Sequence, residues 1–141
     1  YIIDDRGRCF LVETANRGGG VLTSAKILPH LAGANLYDFL LDKALGLPTH
    51  LTLNRSHDTV VLTFFTFDGG LVKSIEGDVK ARALKGVLHF QLLIRAGQTI
   101  KQPQNGAERH GFAILVADNR VNIEKIREEM LSLVRINYEN H

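Results

Sequence analysis

An α+β fold built on a single antiparallel sheet is predicted by three features of the sequence. Apolar residues recur at every second position through most of 49–117, and two stretches, 35–46 and 122–135, switch to helical spacing. Short turns join the consecutive strand-like runs, which favours pairing between neighbours. The simplest assembly is a sheet of roughly five strands plus an N-terminal hairpin, with a middle helix and a C-terminal amphipathic helix on one face.

The elements follow in order. Residues 1–14 read as a hairpin, because two apolar runs flank Asp4-Asp5-Arg6-Gly7-Arg8, where Gly7 supplies the positive φ of a tight turn. Residues 16–20, with three successive glycines, read as a loop. In 23–34, Thr23-Ser24 could cap a short helix through Leu28, which Pro29 would interrupt. Asn35 caps a helix whose Leu36, Phe39 and Leu40 share a face, and Gly46 followed by Pro48 closes it.

From Thr49 the period is two. Residues 59–67 (TVVLTFFTF) are β-branched and aromatic on both faces, which predicts a strand in the middle of a covered sheet. Runs 71–75, 79–84, 87–95 and 109–117 follow, the second of these open to either reading; as a strand it places Val79, Ala81 and Ala83 on one face and Lys80 and Arg82 on the other. Residues 97–108 are polar and read as a long loop. Asn122 is expected to cap the last helix, with Arg135 at its negative end.

Composition bounds the function. The chain has 141 residues, 45% of them hydrophobic and 23% charged, with a net charge of +2 and one cysteine. That suits a single domain over 1–141, and an opening on Tyr1 is what an excised domain, a processed product or a chain given without its early residues would show. Disorder, a disulfide framework and a cysteine-only zinc site are excluded. No apolar run reaches the roughly 18 residues of a membrane span. No signal peptide is visible, so a cytoplasmic location is expected. The balance of charge argues against a dedicated nucleic-acid binder.

Two sites stand out. Arg17, Gly18, Gly19, Gly20 and Lys26 combine glycine backbone and cations ahead of a helix start, an arrangement that can hold a phosphorylated or anionic small molecule, although the spacing matches no P-loop. Ile123, Ile126, Met130, Leu133 and Val134 form a stripe on the last helix that can pack on the sheet or form a seam with a partner. The histidines are scattered without metal-ligand spacing, though His89 and His110 fall on strands read as neighbours. Ser56-His57-Asp58 cannot act as a triad, since adjacent side chains diverge. Lys80 and Arg82, with His89, Gln91 and Arg95, would line a basic sheet face, a weaker pointer to nucleic acid.

No catalytic constellation and no cofactor motif emerge. The sequence therefore predicts a non-catalytic regulatory or protein-interaction domain that binds itself or a protein partner through the last helix or a sheet edge. The second expectation is a binding domain for an anionic small molecule at the glycine-rich loop.

Overall fold

The computed structural model describes residues 2–14 and 19–139, and the chain divides into two compact units, Tyr1–Asn54 and Arg55–His141. In the first unit, β1 (Ile2–Ile3) and β2 (Cys9–Phe10) form the expected hairpin, with Ile2 opposite Phe10. Its turn is held by Asp4, whose carboxylate accepts the Arg6 and Arg8 backbone N–H groups at 3.0 and 2.8 Å and the Arg8 Nε–H at 2.7 Å. These hydrogen bonds from Arg8 hold the Asp4 carboxyl below its ordinary range.

A five-residue π-helical turn (Thr23–Ile27) runs directly into α1 (Leu28–Ala32). Pro29 does not interrupt a helix here. It stands where the π-helical turn passes into α1, and the helical run continues through it to Ala32. The helix α2 (Leu36–Ala44) is capped as the sequence predicts. Asn35 accepts from the Tyr37 and Asp38 N–H groups, while Leu47 N–H reaches back to Asp42 and Gly46 N–H to Lys43. Leu51 and Leu53, despite their alternation, lie in no strand.

The second unit contains β3 (Thr59–Phe65), β4 (Gly70–Glu76), α3 (Asp78–Ala83), β5 (Val87–Leu92), β6 (Thr99–Ile100), a 3₁₀ turn (Gly106–Glu108), β7 (Gly111–Ala117), α4 (Arg120–Leu133) and β8 (Arg135–Tyr138). The predicted single five-stranded sheet is not what forms. Among the described residues there are three small antiparallel sheets, ordered β1-β2, β3-β7-β5 and β6-β4-β8. The α+β character stands, but in the second unit consecutive strands do not pair: β3 and β5 both pair with β7, and β4 pairs with β6 and β8.

Four local corrections explain the difference. Residues 79–84 belong to a helix, α3, rather than a strand: Gly77 adopts φ 79° and Asp78 opens the helix. Ala81, fully buried, packs in the same cluster as α4 residues. With that strand removed, the chain crosses from one sheet to the other. Strand β3 is at the edge of its sheet and β7 is the centre, with residues 111–115 all buried. The chain does not end in helix, because β8 follows α4 at once and pairs with β4. The cap of α4 is Asn119, whose side chain accepts the Asn122 N–H at 3.0 Å, so the helix starts three residues earlier than Asn122 implies.

One core cluster is built from Phe65, Phe90, Ala113 and Leu115 of the first three-stranded sheet against Ala81 of α3 and Ile123 and Met130 of α4. A second, smaller one holds Val72, Ile94 and Ile100, and Phe67, Leu92 and Ile136 touch both. Phe65 stacks on Phe90 with ring centres 5.5 Å apart. Gly111 makes this possible, since a Cβ there would lie 2.2 Å from the Phe65 ring. All the buried side chains among the described residues lie in the second unit.

Candidate functional site

Of the glycine-rich segment, Arg17 and Gly18 lie outside the described residues. Gly19 and Gly20 are exposed. The Gly19 N–H is already engaged, donating to Ser24 Oγ at 2.7 Å, and Thr23 Oγ1–H donates to the Gly20 carbonyl at 2.7 Å. The hydroxyls predicted to cap a helix instead fold the loop onto itself.

Immediately after it, Val21 (φ 47°) and Leu22 (φ 59°) are both left-handed, and they are the only non-glycine residues with positive φ among those described. A β-branched residue in that region is strained, at roughly 1–3 kcal/mol. The conformation turns the Leu22 carbonyl to accept from Lys26 N–H at 2.7 Å and from Ile27 N–H at 3.4 Å. It thereby starts the π-helical turn and fixes Lys26 one turn beyond Gly20, with its side chain exposed. From Thr14 to Tyr37 the sequence has no acidic residue, while it carries Arg17, Lys26 and His30. Residues 21–27 thus form a strained turn that carries Lys26. Nothing in the sequence signalled the strain, because Val and Leu are among the residues least expected there.

The stripe on α4 is occupied by the chain's own sheet. Ile123 and Met130 are fully buried, Val134 is 7% exposed, and Ile126 and Leu133 pack against the same cluster. These side chains are core. The outward face of α4 carries Arg120 and Arg127 on either side of Glu124, at 2.8 and 3.9 Å, and Arg127 Nε–H also donates to Thr63 Oγ1 of β3.

The remaining candidates separate. Among the described residues no three His, Cys, Asp or Glu groups come close enough to hold a metal ion. His89 stacks on Phe112, whereas His110, only 4% exposed, accepts the Phe67 N–H on Nδ1 at 2.8 Å and meets the Lys101 carbonyl through Nε2 at 2.9 Å. Those partners require the proton on Nε2, so His110 is a neutral brace between two loops. Ser56 accepts the Asp58 N–H in a local turn. The basic sheet face dissolves, since Lys80 and Arg82 stand on α3 while His89 and Gln91 stand on β5. Cys9 is exposed. No described helix is long and apolar enough to cross a membrane.

A family model for the L-amino acid ligase C-terminal domain 2 matches residues 63–139. The fold resembles the crystal structure of L-amino acid ligase from Bacillus licheniformis, with a TM-score of 0.71 and 20% identity over 98% of this chain and 34% of that one. It also resembles phosphoribosylglycinamide synthetase from Anaerococcus prevotii, with a TM-score of 0.62 and 13% identity over 80% of this chain and 30% of that one. The chain spans about a third of the length of these structures. No curated protein sequence matches it. These findings overturn the expectation of a separate regulatory or interaction domain, because the second unit, whose last helix prompted it, is the region that the ligase-domain model matches.

Proposed function

The chain belongs to the L-amino acid ligase C-terminal domain 2 family, and from that membership we propose that it works as part of a ligase joining amino acids. The observation that carries this reading is the match over 63–139, which runs from the fifth residue of β3 through β8 and so takes in both core clusters. The resemblance of the fold to two ligases of the ATP-grasp type accords with it.

Joining two amino acids in water requires one carboxylate to be activated by phosphoryl or nucleotidyl transfer, so a ligase must hold strongly anionic groups. The stretch from Arg17 to Lys26 suits that task. It is cationic, glycine-rich and free of acids, and the strained Val21-Leu22 pair holds Lys26 in a fixed relation to Gly20. In this reading Arg17 and Lys26 neutralise anionic oxygens, and Gly18 and Gly20 allow the backbone to approach them. The segment serves the ligase's chemistry and is not a free-standing binding module.

The test is an assay of the polypeptide carrying this domain for dipeptide formation from pairs of L-amino acids with a nucleoside triphosphate, read by mass spectrometry. Dipeptide with stoichiometric release of phosphate or diphosphate supports the reading. Failure with every pair overturns it. Within an active enzyme, Arg17→Ala and Lys26→Ala are each expected to lower kcat/KM by at least about tenfold, the loss of one charged contact. Unchanged kinetics for both would remove the segment from the site.

A further inference from the structure

The turn between Gly19 and Ile27 combines strain with hydrogen bonds that oppose it. Val21 and Leu22 are both left-handed, and the Thr23 N–H closes onto the Gly20 carbonyl at 3.1 Å. Two successive left-handed residues under such a bond make the type I′ pattern, which Asn-Gly suits and Val-Leu opposes. Two hydroxyls hold it in place. Thr23 Oγ1–H donates to the same Gly20 carbonyl, and Ser24 Oγ accepts the Gly19 N–H, both at 2.7 Å. The Gly19 backbone lies close against Thr23, since a Cβ on Gly19 would come within 2.9 Å of the Thr23 Cβ.

The residues beyond the turn add little support. Lys26 and Ile27 N–H groups return to the Leu22 carbonyl, and the Leu28 N–H returns to that of Thr23. Pro29 has no N–H with which to add another bond. No side chain of Thr23–Ile27 is buried, so no packed core opposes unwinding. A π-helical turn is itself rare and recurs at functional sites.

Strain on one side and two hydroxyl bonds on the other are the ingredients of a two-state element. We propose that residues 19–27 are a latch that opens and closes, and so sets whether Lys26 stands one turn from Gly20. The closed form is the turn described. In the open form Val21 and Leu22 return to negative φ and the π-helical turn unwinds. The helix then begins at α1, whose first turn tolerates Pro29. Gly20 and Lys26 part by up to about 20 Å, the reach of six extended residues. An anion that needs both the Gly20 backbone and the Lys26 ammonium binds the closed form alone and draws the latch shut. That last step rests on the reading of this segment as the ligase's anion site; the latch itself does not.

The experiment is hydrogen–deuterium exchange by mass spectrometry on the polypeptide carrying this domain. It is read at the amides of Lys26, Ile27 and Leu28, with those of β7 as the control. Val21→Asn together with Leu22→Gly gives the turn the residues it favours, and should slow exchange about tenfold, the relief of one strained residue. Ser24→Ala removes one hydroxyl bond and should speed exchange about fivefold. Gly19→Ala, which clashes with Thr23 only in the closed form, should speed it further. Exchange in the double variant no slower than in the wild type, or in Ser24→Ala no faster, overturns the latch. If Gly19→Ala disturbs β7 as well, the other two variants decide. Inorganic phosphate should slow exchange in the wild type and not in Lys26→Ala. Phosphate without effect, while the variants act as stated, upholds the latch and counts against the anion site, so the two readings fail separately.

Discussion

The two units of the chain turn similar local signals into opposite outcomes. Residues 2–54 include a capped helix and a well-closed hairpin, yet none of their described side chains is buried, and thirteen of the eighteen large exposed apolar residues among those described belong to this unit. Tyr37, Leu40, Leu41 and Leu45 on and beside α2 are all more than half exposed. The second unit has no better caps, but it contains every buried residue among those described and both core clusters. Local backbone chemistry therefore specifies elements, while burial decides which of them contribute to stability. A nine-residue helix is marginal in water without a packed face, however good its caps.

The largest effect is expected where the second unit has no slack. A Cβ on Gly77 would lie 1.8 Å from the Leu133 carbonyl oxygen, and the residue sits at φ 79°. Both obstacles are backbone, so Gly77→Ala should cost more than about 4 kcal/mol and abolish the cooperative thermal transition. A normal melt would show that the α4–β8 corner can shift. Next comes Leu115→Ala, at a fully buried position, expected to cost about 2–5 kcal/mol in chemical denaturation. Its counterpart Leu45→Ala, at a position 65% exposed, should stay within about 0.5 kcal/mol. Equal costs for the two would erase the contrast between the units. His110→Phe keeps a ring beside Phe67 but leaves the Phe67 N–H and the Lys101 carbonyl unpaired, for about 2 kcal/mol. Hydrogen exchange sharpens the comparison further: amides of β7 and α4 should exchange only by global unfolding, and those of α2 by local opening.

What the sequence conveyed divides along the same line. The hairpin, α2 and α4 were legible because their signals are local: Asp4 and Gly7 in a turn, Asn35 and Gly46 at helix ends, and a stripe of Ile123, Ile126 and Met130. The sheet was not. Strand β3 and strand β7 are both apolar on two faces, and nothing in TVVLTFF or GFAILVA says which one has two partners. The alternation of Val79, Ala81 and Ala83 fits a strand as well as a one-sided helix, and only the burial of Ala81 against α4 resolves it. One such misreading reroutes the chain between sheets. The cationic segment was visible as composition, but the left-handed Val21 and Leu22 were not, since their conformation opposes their intrinsic preference. The hydroxyls that hold the turn were legible only by type. Thr23 and Ser24 suit a helix cap, and only the turn at Val21 and Leu22 brings them to Gly20 and Gly19 instead.

The smallest effect tests the first unit alone. Asp4 accepts three hydrogen bonds within its turn, and those from Arg8 and Arg6 hold its folded-state pKa below the ordinary value of 3.8. For a depressed carboxyl, the stabilisation is complete above the unfolded pKa and fades as pH falls through the lower folded value. The hairpin should thus be unchanged from neutral pH down to about 4, then lose the Arg6 and Arg8 amide shifts characteristic of the turn below the ordinary carboxylate range. Because the group is at the surface, high salt should weaken the contribution of the Arg8 side chain while leaving the two backbone bonds. A titration midpoint at or above 3.8 would mean that the carboxylate is not engaged as described. A midpoint below it, with β7 amides unaffected across the transition, would show the hairpin responding locally while the packed unit holds, which is the behaviour expected of an element specified by its turn and not by a core.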